Sequence, residues 1–336
     1  NRDRLGLPAE AVQFDSTIAA TLRMLQQHTL DLKLEPRVLH GDTAYFDLVL
    51  KNKAGHKFPS GYPSRRAWVE LEVKNAAGQT VFHSGRYNPD FSLPDEDANF
   101  EPHYNVISRP DQVQIYELVP GDVNGAFTNV LERGDQPLKD NRLTPQGFSL
   151  LDPVYDTTRI VGGASTDPDF NRAPDGTEGS GADVLHLHLP IGGYTGALTV
   201  SAKVWYQSLP PKWMAPMFAF SSPEIDSFRL MFNAADRSPV LVASAVLENV
   251  LVSPVSAPEA GWAGAVRVWP SMSADGRVWV ELPEGVVLKK LRVWSAGGRL
   301  EREQTRLPVE LPEQKGAYFI EILTDRGAVV RRVARM

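Results

Sequence analysis

Histidines, arginines and carboxylates set the chemical possibilities of this chain. His56 sits in Gly55-His-Lys-Phe-Pro-Ser-Gly61, a loop shaped by two glycines and by Pro59 and Pro63. A neutral imidazole on such a loop can ligate a transition metal, or can hydrogen-bond within the turn. Arg65 and Arg66 follow at once, and a guanidinium can clamp a carboxylate through two parallel hydrogen bonds. Neighbours in a strand point to opposite faces, so Arg66 shares a face with Trp68 and Arg65 does not. A salt bridge across a sheet is the competing use of either arginine.

His103 closes a stretch holding Asp95-Glu-Asp97 and Glu101. A histidine among carboxylates can hold a divalent cation, although acidic loops are commonly just solvated. His186 and His188 alternate in Leu185-His-Leu-His-Leu189 and share one strand face, without the further ligands a zinc site needs. Asp122-Val-Asn-Gly125 offers two oxygen side chains, Asp122 and Asn124, ahead of a glycine, as calcium loops do. Arg133 stands where a calcium loop's closing carboxylate belongs, so an Asx turn competes with calcium. Asp167, Asp169, Asp175 and Asp183 form a second, looser calcium candidate. No pattern of a serine nucleophile elbow, a phosphate-binding loop or a zinc protease occurs, so no catalytic residue is assigned.

The elements that must position these groups are mostly strands. Leu30, Leu32 and Leu34 alternate with charged residues, and 45–50 and 68–73 repeat that period. The Ala77-Gly78 turn leads to a hairpin strand at 80–83. Further strands are expected at 112–119, 183–189, 197–206 and 240–252. The long loops 88–105 and 152–182 are of a size that is often functional. A helix capped by Asp15 or Ser16 carries Ile18, Leu22 and Leu25 on one side, and helices fit 212–220 and 223–234, the latter with Ser222 as cap. Trp205, Tyr206 and Trp213 could form a sugar platform, or pack as ordinary buried aromatics. Past a Pro-containing stretch, short strands separated by turns predict a small antiparallel sandwich whose last strand, 329–333, is a charged edge.

Composition narrows the rest. The 336 residues include no cysteine, which excludes disulfides, thiolate chemistry and covalent C-x-x-C-H haem attachment. The net charge of −6 gives no electrostatic footprint for nucleic acid. No apolar run approaches the roughly 18 residues of a membrane span. A chain that starts at Asn1 without a signal peptide is expected to be a processed product or a piece of a longer one.

Two resemblances add to this. Asn52-Lys-Ala-Gly-His-Lys-Phe-Pro-Ser-Gly-Tyr-Pro-Ser-Arg-Arg-Ala-Trp68 resembles a segment downstream of the haem-binding part of secreted bacterial multihaem c-type cytochromes. Pro102-His-Tyr-Asn-Val-Ile107 with Asp111-Gln-Val-Gln-Ile-Tyr-Glu117, then Gly121-Asp-Val-Asn-Gly125, then Lys139-Asp-Asn-Arg-Leu-Thr-Pro-Gln-Gly-Phe148 are similar to that family in the same order. The resemblance covers about residues 15–250 and implies the non-haem, β-rich part. Val268-Trp-Pro-Ser271, Val293-Trp-Ser-Ala-Gly-Gly-Arg-Leu300 and Gly316-Ala-Tyr-Phe-Ile320, with Arg331-Arg332, resemble the C-terminal sorting domain of type IX secretion. Ser271-Met272 stands where that family usually has Asn-Pro.

The expected fold is mainly β: an immunoglobulin-like antiparallel sandwich region with a few short helices, then a small C-terminal β-sandwich. The expected division is a helical segment 1–28, a cytochrome-associated region 29–252, a linker 253–261 and a sorting or docking sandwich 262–336. The resemblance implies a non-catalytic, extracellular or cell-surface accessory of multihaem electron transfer. Its partners would be a haem-bearing cytochrome chain or segment and type IX export or surface machinery, with no nucleic acid and no membrane span. His56, Arg65, Arg66 and His103 become the haem-facing candidates, His56 as an axial ligand and an arginine on a propionate, toward haem c carried by a partner or by a missing N-terminal segment. Two other readings stay open: a structural subunit of a surface filament, and a secreted carbohydrate-active or carbohydrate-binding protein with a sorting domain.

Overall fold

The computed structural model describes residues 6–40, 42–94, 100–153, 158–252, 261–296 and 299–336. The acidic stretch 95–97 and the linker 253–261, Gly261 apart, lie outside the described residues. The chain divides into two compact units, Asn1–Pro36 with Asp42–Val252, and Arg37–Gly41 with Ser253–Met336.

The first unit opens on α1, Ala11–His28, which begins several residues before the expected cap. Gln13 explains the difference: its side-chain oxygen accepts the Glu10 backbone N–H at 2.7 Å and closes the helix end there. Ser16 lies inside the helix, its hydroxyl turned back to the Val12 carbonyl at 2.7 Å. No residue of α1 is buried, and Val12, Ile18 and Met24 are well exposed.

One sheet follows the order β1-β2-β8-β5, from Leu30–His40, Thr43–Asn52, Ala182–Pro190 and Val106–Ile107. The other follows β10-β9-β3-β6-β7, from Val240–Val252, Gly196–Gln207, Arg66–Asn75, Ile115–Asp122 and Gly134–Asp140, with β4, Thr80–Ser84, also paired to β3. From β2 onward the neighbours in both sheets are antiparallel except β5 against β8. Period-two burial follows from side chains alternating across each strand. Ala44, Phe46, Leu48 and Leu50 of β2 and Leu185, Leu187 and Leu189 of β8 are buried on one face. Ala67, Val69, Leu71 and Val73 of β3 and Val200, Ala202 and Val204 of β9 are buried on a face of the second sheet. At about 1.5–3 kcal/mol for each large aliphatic side chain, these two faces dominate the stability of the unit.

On the other face of β3, Trp68 is buried with Leu93, Val113 and Ile115. Its indole N–H donates to the Gly85 carbonyl at 2.9 Å. Trp205 stands edge-on to Tyr87 and donates to Glu70 at 2.6 Å, so it packs rather than forming an open sugar platform. Two helices, α2 (Pro211–Phe218) and α3 (Pro223–Ala234), connect β9 to β10, and the Ser222 hydroxyl accepts the Ile225 N–H at the start of α3.

The second unit begins with a single helical turn, α4, at Gly261–Gly264. Its described strands form a three-stranded sheet, β11-β13-β16 (Arg267–Trp269, Arg277–Glu281, Val309–Glu310), and a five-stranded sheet, β12-β18-β17-β14-β15 (Met272–Ser273, Gly327–Arg335, Gly316–Thr324, Leu288–Ser295, Leu300–Gln304). Val278, Val280, Leu291, Val293, Ile320, Ile322, Val329 and Val333 share one core. The last strand is not a free edge throughout. Met272 and Ser273 of β12 pair in parallel with Ala334 and Arg335, covering its C-terminal end.

Candidate functional site

The His56 loop is fixed from below by two segments distant in sequence. Asn52, fully buried, donates its amide to the carbonyls of His56, Leu143 and Thr144 at 2.7, 3.0 and 3.2 Å. Its side-chain oxygen accepts the Ala54 N–H at 2.8 Å, which sets the amide's orientation. Phe58 and Leu143 exchange backbone hydrogen bonds, both 2.8 Å. Lys57 reaches Asp140 at 2.8 Å and the Arg159 carbonyl at 2.9 Å, while Arg142 grips the same carboxylate through two bonds of 2.8 Å. Burial holds the Lys57 ammonium below its usual pKa against the pull of Asp140. The His56 carbonyl and Lys57 are therefore anchored, and the histidine itself is exposed.

Among the described residues the His56 ring makes no hydrogen bond. It lines a groove of about 630 Å³ with Phe58, Arg65, Tyr206 and the Ala20–Met24 side of α1. Arg65 is exposed beside it, donating to the Ser60 carbonyl at 2.9 Å. The structure thus brings His56 and Arg65 together and separates both from Arg66. That guanidinium is buried, bonded to Gln207 at 3.0 Å, and lies 5.5 Å over the Trp68 ring, the partner parity assigned to it.

His103 lies deep inside the fold, its side chain 1% exposed, as is that of Asp167. Its Nδ1 accepts from Gln114 at 2.8 Å and from Asn141 at 3.1 Å. Neither amide is free to flip. The Gln114 oxygen accepts the Tyr104 backbone N–H at 2.8 Å, and Asn141 accepts from Glu117 N–H at 3.0 Å while donating to the Ile115 carbonyl at 2.8 Å. With Nδ1 an acceptor, the ring proton is on Nε2, directed at Asp167 across 2.9 Å. The ligand atoms of His103, Asp167 and Asp183 lie within 4.8 Å of one another, as in a metal site. A metal would need the Nε2 lone pair, and moving the proton to Nδ1 would set three N–H groups against each other. The cluster therefore fits a hydrogen-bonded network better than a ligand set, and His103 is too enclosed to meet a haem.

Asp183 accepts the Tyr116 hydroxyl at 2.7 Å, and its other oxygen is buried without a hydrogen-bond partner among the described residues. Burial raises its pKa to about 6, with the neighbouring Asp167 carboxylate adding to the rise. Lys139, also buried, donates to the Glu101 and Ile115 carbonyls and to Glu117 at 2.7, 2.9 and 3.0 Å. Segments 52–58, 101–117 and 139–144, which carry much of the sequence resemblance, thus interlock through Asn52, His103, Lys139 and Asn141. Sequence reasoning passed over Asn52 and Asn141, whose amides carry no charge or motif of their own.

His186 occupies the outer face of β8, as its alternation with leucines predicts. Nδ1 meets Asp47 at 2.8 Å and Nε2 meets Asp169 at 3.0 Å, so both nitrogens donate and the ring is an imidazolium. Burial alone would lower its pKa; hydrogen bonds to the two carboxylates outweigh that and raise it to about 9. His188 stands edge-on to Tyr45 at 4.8 Å. Asp122 spends one oxygen on the N–H groups of Asn124 and Ala126, at 2.8 and 3.0 Å, an Asx turn. That geometry builds the loop.

No protein-family model matches the chain, and no curated protein matches its sequence. Among solved structures it is similar to a penta-heme cytochrome c552 from Thermochromatium tepidum, with 14% identity and a TM-score of 0.39 over 68% of this chain and 41% of that one. It is also similar to HBP35 of Porphyromonas gingivalis, with 14% identity and a TM-score of 0.22 over 91% of this chain and 62% of that one. The chain therefore spans less than two thirds of the length of either structure.

Proposed function

We propose that the first unit is a non-catalytic accessory surface for multihaem electron transfer, presenting His56 to haem c carried by another polypeptide or segment. One observation carries this reading: His56 is exposed on a firmly anchored loop, with neither ring nitrogen engaged, in a groove it shares with Arg65. An imidazole in that state is ready to donate to an iron, and an adjacent guanidinium suits a propionate. The exposed apolar side chains of α1 beside the groove give a haem edge a surface to cover. Electron transfer belongs to the haem, and this chain supplies docking, burial and electrostatics. The second unit is proposed as the sorting or surface-docking module of an exported protein, supported by the motif segments at its strands.

The test is a titration of the full chain into a ferric haem c peptide whose sixth coordination position is open. Binding through His56 converts the iron to low spin and shifts the Soret band. His56→Ala is expected to weaken that conversion by about tenfold or more, equivalent to about 1.4 kcal/mol, while the exposed-residue control His28→Ala leaves it unchanged. Equal conversion by the wild type and His56→Ala, or none by either, overturns the proposal.

A further inference from the structure

We propose that the outer face of the three-stranded sheet in the second unit binds an acidic saccharide, stacked on Trp269 and Trp279. The two tryptophans are direct cross-strand partners on β11 and β13, so they share one face. They are 47% and 46% exposed, unusual for the largest apolar side chain. The inner face of the same strands, Val278 and Val280, is already committed to the core. The tryptophans are therefore not waiting for a place in their own domain.

Their surroundings choose the ligand. Arg267 and Glu281 form the next direct pair on one side, and Arg277 and Glu310 pair across β13 and β16 on the other. All four are exposed. Two indoles thus stand between charged pairs, in a polar field. A pyranose matches that pattern, with C–H faces that stack on indole and hydroxyl edges that hydrogen-bond to guanidinium and carboxylate groups.

A cleft of about 540 Å³ opens beside Trp269, lined by Arg267, Val268, Glu281, Arg331 and Arg332. Arg331 is turned to the Ala263 and Val330 carbonyls. The side chains of Arg267, Arg332 and Glu281 make no hydrogen bond or ion pair among the described residues. Two uncommitted guanidiniums against one carboxylate leave the cleft net positive, which selects an anionic sugar. This proposal does not rest on the haem-facing reading of the first unit.

Calorimetric titration of the full chain with polygalacturonate, an acidic polymer, and with dextran, a neutral one, tests it. Polygalacturonate is expected to bind and dextran to bind at least about tenfold more weakly. Trp269→Ala and Trp279→Ala should each reduce polygalacturonate affinity about tenfold; being exposed, both should keep the wild-type circular dichroism spectrum. Arg332→Gln removes charge without touching the stacking surface, and should weaken polygalacturonate binding and flatten its salt dependence. No binding of polygalacturonate, or binding that survives both tryptophan substitutions, overturns the site. Equal affinity for dextran, or an Arg332→Gln variant that binds like the wild type, overturns the choice of an acidic ligand. Binding of a protein partner that depends on the two tryptophans, with no saccharide binding, overturns it as well.

Discussion

His103 directs its only ring proton at Asp167, because Gln114 and Asn141 both donate to its other nitrogen. The pair is buried, so removing the acceptor leaves an N–H with nowhere to go. Asp167→Ala should cost about 2–3 kcal/mol in urea unfolding. Added Zn²⁺ should leave the wild-type melting temperature unchanged, since the lone pair a metal requires is not available. A clear upward shift with zinc would mean the ring turns over and the cluster is a metal site after all.

His186 predicts a pH dependence of the opposite character. Its pKa is about 9 in the folded chain, raised above the ordinary histidine value of about 6.5. A raised histidine stabilises fully below pH ~6.5, and that contribution is lost as pH climbs through about 9. The site is partly open to solvent, so about 1–2 kcal/mol is the reasonable size. Asp47→Asn should flatten the stability profile between those limits. A profile identical to the wild type would show that the Asp47–His186 pair carries no linkage.

Asn52 tests whether the His56 loop is held in place. Asn52→Ala strands three carbonyls and should cost about 2–4 kcal/mol. If haem c peptide binding depends on loop geometry, the variant binds more weakly although His56 is intact. Asn52→Asp should fail to rescue, since the carbonyls need donors.

Gly85 has a positive φ of 77°, and a Cβ there would lie 2.3 Å from the Val69 carbonyl oxygen. Gly85→Ala should therefore destabilise by more than about 2 kcal/mol, visible as a lower urea midpoint. Tryptophan fluorescence should shift too, because the Gly85 carbonyl is the partner of the Trp68 indole.

Much of this fold is legible wherever local period decides structure. The alternation of Leu185, Leu187 and Leu189 with two histidines gives both the strand β8 and the outward face of His186. Ser222 and Pro223 mark the start of α3. The start of α1 is not legible in the same way, since a Glu10–Gln13 closure lacks the short polar cap that ordinarily signals a helix end. The site divides similarly. His56 stands out by its Gly- and Pro-bracketed loop, and the structure leaves it exposed beside Arg65. The state of His103 is invisible in sequence, because its partners Gln114, Asn141 and Asp167 come from three segments and only their donor directions fix the proton. Asp167 and Asp169 read as one calcium-like series, but in the fold they serve two different histidines.

Those two carboxylates, with a single residue between them, fasten one loop at both a buried and an outer position around β8. The first contact needs Gln114 and Asn141, which flank β6 and β7, to hold His103 in place, and the second needs His186 on β8. The loop is thus expected to close onto strands already paired rather than to help pair them. In native-state hydrogen exchange its ordered amides, such as Asn171 and Gly179, should open together and at lower cost than those of β2 and β8, as one cooperative flap.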